Sequence, residues 1–493
     1  MKIINRRLIS AASETILGIE PGGFYTLFSF SKGTTVKIES DKIERDVISP
    51  TFTPLGSVNA GKKITVSGEL ELVPGGVNES GEVIPPDCGI LLEACGLEKK
   101  ATVSIDLDLV SGTFEIGETL QNATPINIGT IHSIDTGDGN YVKLWCIKNP
   151  AIPALFENDE LTGVTSGATG QIIGTTTGDT LKFVVVNAPS NTGDGTITSL
   201  TLDAAAKVGD YVLIITDTTT PGSEVWSVVD PDEEALTSAT TGVSYDSAQI
   251  DFTVNAGGIN WAMGDKITLS VNYGAAVETN LAYFPTSKHA EHKSVTIIDN
   301  IDGTKKTATY CRGNVSFILK VKDYVRMSFD FTGIYHDPES EALIDADFSE
   351  NEPIICNPAL FNIGNLDTGL TTVETFELNL NNEVQPVEDM QAEDAIKAIF
   401  ITNRAPSGTI NPTTVSLNDW NPFDEWKNHH RQKIFVAAGN ERGKRIRISI
   451  PEAQLEVPDD SGDRNGIQVT NLTYTATGRK KVLFDRELSI TIW

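Results

Sequence analysis

Apolar and polar residues alternate strictly along two segments near the start of the chain. Ile64, Val66, Leu70 and Leu72 occupy one set of alternate positions, with charged or hydroxyl-bearing residues between them, and a shorter alternation runs over residues 35–39. This period of two is typical of half-buried antiparallel strands. The pattern therefore predicts a β-hairpin over residues 34–72.

The connection between these two strands is much longer than a tight hairpin turn requires. It carries Pro50, Pro54 and Gly56, which break regular structure. Connections of this length are often functional. We predict an extended arm that reaches a neighbouring molecule, and the alternative is an ordinary surface loop.

A short amphipathic segment follows the hairpin. Ile90, Leu91 and Ala94 fall on one helical face, Asp87 stands at the position of an N-cap, and Gly96 stands where a helix would end. We predict a single short helix within residues 87–98.

The composition and hydrophobic pattern of the chain change between residues 113 and 273. Gly, Thr, Asp and Ser become dense, and apolar residues come in short alternating runs. Two similar subsegments within residues 113–187 predict one small β unit. Residues 188–273 have strand patterns separated by regular turns, which predicts a β-sandwich. Both units interrupt the pattern that precedes them.

The hairpin pattern returns after the interruption and then occurs a second time. Strand patterns over residues 372–404, a helix pattern over 418–432 and strand patterns over 444–477 repeat the order of the first part. We interpret this as an internal duplication of one β-rich domain. The first copy is predicted at residues 1–112 and 274–350, and the second at residues 351–493.

Composition and charge exclude several classes of protein. The net charge is −29, which opposes binding of nucleic acid as a ligand. The chain has five scattered cysteines and no CxxC pair, so neither a disulfide framework nor a zinc site is predicted. No apolar run is long enough to span a bilayer, and the basic start lacks the apolar core of a signal peptide. We expect no membrane insertion.

Candidate catalytic and metal-binding motifs are weak. His289 and His292 are three residues apart, which does not match the spacing of a zinc-binding helix, and His429 and His430 read as the polar end of a helix. Residues 439–444 have the wrong glycine spacing for a phosphate loop, and residues 459–466 lack the pattern of an EF-hand. We predict no enzymatic activity, no metal and no cofactor.

Several segments resemble tail tube proteins (major tail proteins) of long-tailed bacteriophages. They include RRLISAASETILGIEPG, ISPTFTPLGSVNAGKKITVSGELEL, CGILLEACGL and RGNVSFILKVKDYVRMSFDFTGIYHDP, followed by VETFELNLNNEV, ITNRAPSGTINP, SIPEAQLEV, GDRNGIQVTNL and DRELSITIW. Together they cover most of residues 1–110 and 305–493. The inserted sandwich also resembles a module of phage virion proteins, through Gly209-Asp210-Tyr211, Val228-Val229-Asp230-Pro231 and Gly264-Asp265-Lys266-Ile267.

The resemblance implies a mostly β fold. Two tail-tube-like β-sandwich domains, each with one flanking helix, would contribute strands to a ring-shared β-barrel, and the inserted β domains would project outward. Family members form stacked rings through which DNA leaves the capsid. Because two domains in one chain would need only three chains for six domains, we expect trimeric rings with pseudo-sixfold symmetry, with a hexamer as the alternative. The expected location is the virion tail, assembled in the host cytoplasm.

The resemblance also implies partners and contact residues. The chain would bind copies of itself, the tape measure protein and the tail terminator, and would let DNA pass without specific binding. The arm predicted to connect stacked rings includes Arg45, Asp46, Pro50, Pro54, Leu55 and Lys62. The acidic residues predicted to line the channel are Glu39, Asp41, Glu69, Glu71, Glu374, Glu377 and Glu383.

Two alternative functions remain open: a tail-tip hub or adhesin, and a virion-associated hydrolase with a β scaffold, for which the sequence offers no catalytic motif. A tail-tip hub or adhesin would use the inserted β domains to bind a receptor or glycan. An exposed insertion would collide with a contractile sheath, which favours a non-contractile tail.

Overall fold

The computed structural model describes most of the chain. The described residues are 6–22, 25–45, 56–78, 82–123, 126–136, 142–149, 160–172, 181–187, 191–202, 207, 209–232, 234–273, 277–343, 351–357, 359–366, 369–478 and 485–493. Contacts divide the chain into two compact units, Met1–Lys100 with Leu281–Trp493, and Ala101–Asn280. We call them the main unit and the inserted unit.

Strands form most of the described chain, which confirms the prediction of a mostly β fold. Up to the end of the inserted unit, the elements are β1 (Arg7–Ser13), β2 (Thr26–Phe28), β3 (Thr35–Ile43), β4 (Val58–Glu71), α1 (Gly89–Ala94), β5 (Leu97–Ser111), β6 (Thr119–Asn122), β7 (Asn127–Thr136), β8 (Val142–Lys148), β9 (Glu160–Gly163), β10 (Thr169–Ile172), β11 (Leu181–Asn187), β12 (Thr196–Leu202), β13 (Gly209–Asp217), β14 (Val225–Val229), β15 (Ala239–Thr240), β16 (Ser244–Tyr245), β17 (Ile250–Asn255) and β18 (Lys266–Tyr273).

The remaining elements lie in the main unit, except that β19 begins in the inserted unit. They are β19 (Val277–Pro285), β20 (Val295–Ile301), β21 (Thr304–Lys320), β22 (Arg326–Tyr335), β23 (Glu339–Ser340), β24 (Ala359–Ile363), β25 (Val373–Asn379), β26 (Glu383–Glu388), β27 (Ile396–Asn403), β28 (Ser407–Pro412), α2 (Pro422–Lys427), β29 (Arg431–Ala438), β30 (Ile446–Leu455), β31 (Asp459–Arg464), β32 (Ile467–Ala476) and β33 (Ser489–Ile492). A short 3-10 turn lies at His289–Glu291. None of the helices in the described residues is long and apolar enough to cross a membrane.

One antiparallel run of strands organises the main unit, and we call it the long sheet. Its neighbours in order are β3, β4, β22, β21, β25, β28, β32 and β31. The hairpin predicted over residues 34–72 is its first pair, because β3 and β4 pair directly, with Val36 opposite Val66.

Two groups of strands branch from the long sheet. β1 pairs with β20, and β20 pairs with the first half of β21. β24 pairs with β29, β29 pairs with β30, and β30 pairs with β32 and β33.

Alternation along the strands places the core on one face of the long sheet. Ile64, Val66, Phe317, Phe329 and Leu378 are each no more than 2% exposed and belong to one apolar cluster. Most of their sequence neighbours on the opposite face are polar, and all of these neighbours are more accessible. The period of two in the sequence therefore corresponds directly to burial.

The two helices are shorter than predicted and differ in their caps. α1 begins after Cys88 and has no side-chain cap, so the prediction that Asp87 is the N-cap is wrong. Gly96 has φ +77° directly after the helix, a conformation that favours glycine. In α2, the Asn421 side chain accepts hydrogen bonds from the Phe423 and Asp424 amides, and Pro422 is the first helical residue.

A second hairpin leaves the long sheet between β25 and β28. Its strands β26 and β27 pair only with each other among the described strands, with Val384 opposite Ile401. Pro386 lies inside β26, which an edge strand tolerates because one of its sides needs no amide donor. We call β26, β27 and the turn between them the second arm. The outer part of the β3–β4 hairpin, residues 38–43 and 56–63, is the first arm.

The inserted unit contains two apolar cores. The first lies among β5 to β10 and includes Ile105, Leu120 and Leu144. The second lies between a five-stranded sheet with order β11, β18, β13, β14, β15 and a three-stranded sheet of β12, β17 and β16. β11 pairs with β18 over its whole length, although its sequence falls within residues 113–187.

Candidate functional site

The long sheet ends in two open edges. β3 pairs only with β4, and β31 pairs only with β32, among the strands of the described residues. Each outer edge therefore presents backbone donors and acceptors that can accept another strand. These edges are therefore the first candidates for function.

A pairing at the centre of the long sheet shows how another strand can complete such an edge. β21 and β25 pair antiparallel, with Phe317 opposite Leu378, and both side chains are 0% exposed. The Asn314 side-chain amide donates to the Asn379 side-chain oxygen at 2.7 Å. The Asn382 side chain donates to the carbonyl of Gly313 at 3.0 Å. We call this pairing the internal joint.

The second arm packs on the main unit through a small apolar cluster. Its buried members Ile396, Ala398 and Ile399 contact Tyr310. At the arm's turn, the Lys62 amide donates to the Asp394 carbonyl at 3.4 Å, and the two side chains form an ion pair at 3.3 Å. The second arm is therefore fixed by apolar and polar contacts.

Beyond Gly61 and Lys62, the first arm has no comparable cover within the described residues. Ile38, Ile43 and Val58 are 42%, 59% and 56% exposed. Ile43 lies opposite Val58 in the register of β3 and β4, so their side chains share one face. The end of this hairpin is therefore an exposed apolar patch.

The residues predicted for the ring-stacking arm are only partly described. Arg45 is exposed directly after β3. Lys62 binds Asp394 of the second arm and lies over the Tyr335 ring at 4.9 Å. Asp46, Pro50, Pro54 and Leu55 lie outside the described residues.

The predicted channel residues lie at several places on the polar side of the main unit. Glu39 pairs with Lys63 at 3.3 Å, Glu69 approaches Arg326 at 3.9 Å, and Glu374 pairs with Arg464 at 3.2 Å.

The other predicted channel residues also have polar neighbours. Glu71 lies opposite Arg326, Glu377 accepts from Thr409 at 3.2 Å, Glu383 accepts from Asn403 at 3.5 Å, and Asp41 lies opposite Gly61. Basic side chains therefore accompany many of these acids, and the polar face is less acidic than the net charge suggests.

A cavity of about 570 Å³ opens beside the ends of β27 and β32. Its lining includes His292, Ile401, Asn403, Arg404 and Ala476. The residues that the cavity places together are mostly polar.

Two of the lining residues are held in place by other groups. Arg404 is bound by Asp485 and by Glu487, the latter at 2.5 Å. Burial lowers the pKa of His292, whose Nε2 donates to the Thr286 carbonyl at 2.8 Å. These interactions fix the wall of the cavity.

The candidate catalytic and metal-binding motifs of the sequence lie in ordinary turns, helix ends and strands. His289 begins the 3-10 turn, and His430 contacts Glu425 at 2.8 Å through Nδ1. The described residues contain no group of three or more His, Cys, Asp or Glu side chains that could hold a metal ion. Residues 459–464 form β31.

Sequence reasoning missed two polar residues that join segments of the main unit distant in sequence. Arg312 is 0% exposed and donates to three backbone carbonyls, and Asn382 bridges Cys95 and Gly313. An arginine inside a strand pattern of otherwise core-forming residues was the available signal for Arg312. Asn382 had no signal, because its partners are distant in sequence.

Comparisons with known proteins do not identify a family. No family model matches the chain, and no curated protein gives a significant match. Among solved structures, two crystal forms of Xanthomonas campestris FlgL align with 16% and 14% identity and a TM-score of 0.17. Each alignment covers 30% of this chain and 44% of FlgL, so the match spans less than half of that protein.

Proposed function

We propose that this chain is a structural virion protein, the tail tube subunit of a long-tailed bacteriophage. Its copies would join edge to edge into rings, and stacked rings would form the tube that conducts DNA from capsid to host. The observation that carries this proposal is a repeated strand order within the main unit, with one joint already made inside the chain and two matching edges left open.

The repeat is visible in the pairings. One set runs β1, β20, β21, β22, β4, β3, and the other runs β24, β29, β30, β32, β28, β25, with every neighbouring pair antiparallel. Each set also has one short helix in the chain between its hairpin and its later strands. The same order in both sets supports a duplication of one β domain, and we call the parts of the main unit that contain the first and the second set its first half and its second half.

The register of the strands supports the same duplication residue by residue. In the first set, Gly68 pairs with Phe329 and Leu70 with Met327. In the second set, Gly408 pairs with Tyr474, and Ile410 with Leu472. A serine precedes each of these glycines. The two halves therefore align through glycine–aromatic pairs at equivalent positions, with Gly68 matching Gly408.

The internal joint indicates how separate chains would associate. It connects β21 of the first half to β25 of the second, and β25 is the counterpart of β3. The open edges therefore offer the same kind of contact, with the β30–β31 side of one chain facing the β3 side of the next. Such a head-to-tail contact is heterologous, and repetition of it gives either a ring or an open filament.

Ring size follows from the number of halves. If six halves close the ring, as the resemblance implies, three chains are enough, and the ring has pseudo-sixfold symmetry. A hexamer of chains remains the alternative. Closure of either ring would remove the open sheet edges that otherwise invite uncontrolled pairing.

The polar side of the long sheet supports a channel that does not retain DNA. Ion pairs such as Glu39–Lys63 and Glu374–Arg464 place a carboxylate beside a cation on this face. Unpaired lysines and arginines would bind phosphates and slow DNA in a salt-dependent way. We assign the inserted unit to the outside of the tube, where it would leave the channel clear.

Electron microscopy of the purified protein tests the proposal. Stacked rings or tubes with a central hole are the expected result, with threefold symmetry in end-on views. Discrete particles that never stack would instead favour the tail-tip hub or adhesin. A protein that stays monomeric at high concentration would refute the tube proposal.

A further inference from the structure

The two arms of the main unit are equivalent but differ in their surroundings. Counting from the matched glycines Gly68 and Gly408, Val58 corresponds to Ala398. Each lies opposite the corresponding residue of its own hairpin, Val58 opposite Ile43 and Ala398 opposite Val387. Ala398 is 8% exposed, whereas Val58 is 56% exposed.

The second arm is covered because it packs on the first half of the main unit. The apolar cluster around Ile399 is one such contact. The second arm also approaches Gly61 closely, because a Cβ placed on Gly61 would lie 3.6 Å from the Ala395 Cβ. This region of the first half, at the outer part of β4 and the end of β22, is the seat of the second arm.

The second half of the main unit has a cavity at the equivalent place. Gly61 and Lys62 correspond to Ile401 and Thr402, and Phe331 corresponds to Ala476, by the same matched positions. Ile401, Thr402 and Ala476 all line the cavity of about 570 Å³ beside β27 and β32. The second half therefore has an open groove where the first half is covered by an arm.

We propose that the first arm of one copy sits in this cavity of a second copy. This inference rests on the proposed function, since it names the lateral contact that accompanies edge-to-edge joining of chains. The occupant is a second copy because the chain already contains the same contact between its own halves. The arm therefore connects neighbours side by side, and its exposed Ile43–Val58 pair becomes covered.

This assignment differs from the role expected for the arm in ring stacking. The described part of the first arm, residues 38–43 and 56–63, would be used within a ring. The equivalent strands β26 and β27 pack laterally on the neighbouring half. We expect the first arm to make the same kind of contact with the next chain.

Two substitutions on the opposite sides of the contact test the proposal. Val58→Asp places a carboxylate in the face of the arm that would be covered. Asn403→Trp fills the cavity from an exposed position on its wall. Val243→Asp is the matched control, because it is the same change at a valine of the inserted unit that is also 56% exposed.

Sedimentation across a concentration series measures the effect. Val58→Asp and Asn403→Trp are each expected to raise the concentration needed for half-maximal association by at least about tenfold, since burial of an unpaired charge or a steric clash opposes the contact. Val243→Asp is expected to associate like the wild-type protein. Circular dichroism and unfolding temperature confirm that each variant is folded.

Mixing the two variants gives a sharper result. The Asn403→Trp chain keeps its arm, and the Val58→Asp chain keeps its cavity, so an equimolar mixture is expected to form 1:1 heterodimers in native mass spectrometry. If both variants assemble like Val243→Asp, or if the mixture forms no heterodimers, the arm contact is refuted while the tube proposal stands. If the wild-type protein never associates, both fall together.

Discussion

The Arg312 guanidinium donates from Nη1 to the backbone carbonyl of Ile399 at 3.0 Å, across 87 residues of sequence. Its other nitrogens donate to the carbonyls of His292 at 2.7 Å and Lys293 at 3.1 Å. Burial lowers the pKa of this side chain. A buried cation is thus held mainly by backbone oxygens, and it connects the second arm to the first half of the main unit.

Replacement of Arg312 by methionine should destabilise the main unit. The change would leave three buried carbonyls without this donor, and we expect the free energy of unfolding to fall by about 2–4 kcal/mol. Urea unfolding followed by fluorescence measures this loss. Arg6→Met is the control, because the Arg6 side chain is 61% exposed and its ion pair with Asp302 should contribute at most about 1 kcal/mol. Equal losses in the two variants would contradict the role of Arg312.

The internal joint should make the two halves of the main unit unfold together. Leu378→Ala removes a side chain that is 0% exposed at the joint, and we expect a loss of about 2–5 kcal/mol. The same change at Leu370, which is 54% exposed, should cost no more than about 0.5 kcal/mol. Hydrogen exchange should show that Leu378→Ala raises exchange in both β21 and β28. Loss of protection in only one half would argue against joint unfolding.

Charge reversal on the polar side of the long sheet should make the assembled protein retain DNA. Glu69→Lys with Glu377→Lys adds cations at two exposed positions of that side. We expect binding of double-stranded DNA that weakens steeply with salt, as counterion release requires. Glu234→Lys with Asp246→Lys makes the same change in charge on the inserted unit. Fluorescence anisotropy at low and high salt compares the pairs, and equal DNA binding by both would refute a channel on the long sheet.

The inserted unit should lose stability in acid through Asp230. This buried carboxylate accepts hydrogen bonds from Lys207 at 2.6 Å and Gln249 at 3.1 Å, and from the amides of Asp232 and Glu234 at 3.0 Å. Burial acts to raise its pKa, but these hydrogen bonds lower it to about 2. The carboxylate form therefore stabilises the fold above the unfolded pKa of about 3.9, and this contribution disappears as the pH falls toward 2.

Asp230→Asn tests this pH dependence. The variant should unfold at a lower temperature than the wild type at pH 7 and should lose less further stability between about pH 4 and pH 2. Asp246→Asn, at an exposed position of the same unit, is the control and should follow the wild-type curve. Differential scanning calorimetry across this pH range measures the curves. A wild-type and an Asp230→Asn curve of the same slope would show that Asp230 does not contribute.

Local patterns allowed much of the fold to be predicted. The alternation of Ile64, Val66 and Leu70 gave β4 and its buried face, since period and burial are both set by the geometry of one strand. The helix near residue 90 was predicted with the wrong cap. Asp87 has a suitable side chain, but the chain turns so that Cys88 occupies the capping position without a side-chain bond.

Long-range pairings could not be predicted in the same way. The internal joint places Phe317 opposite Leu378, and no local pattern encodes which strand lies beside which. The similarity of the two halves is hidden for the same reason, because it rests on pairings such as Gly68 with Phe329 and on few identical residues. The separate pairing of β26 with β27 in the second arm was likewise not predicted.

In the duplication that we propose, the insertion interrupts only one of the two halves. In a ring of three chains, halves with the insertion and halves without it would alternate around the ring. Neighbouring insertions would then be a third of a turn apart. This spacing leaves room for a larger inserted domain than a ring with six insertions would allow. A chain with two halves would therefore carry a large inserted domain in one half while the other half keeps its ring contacts unchanged.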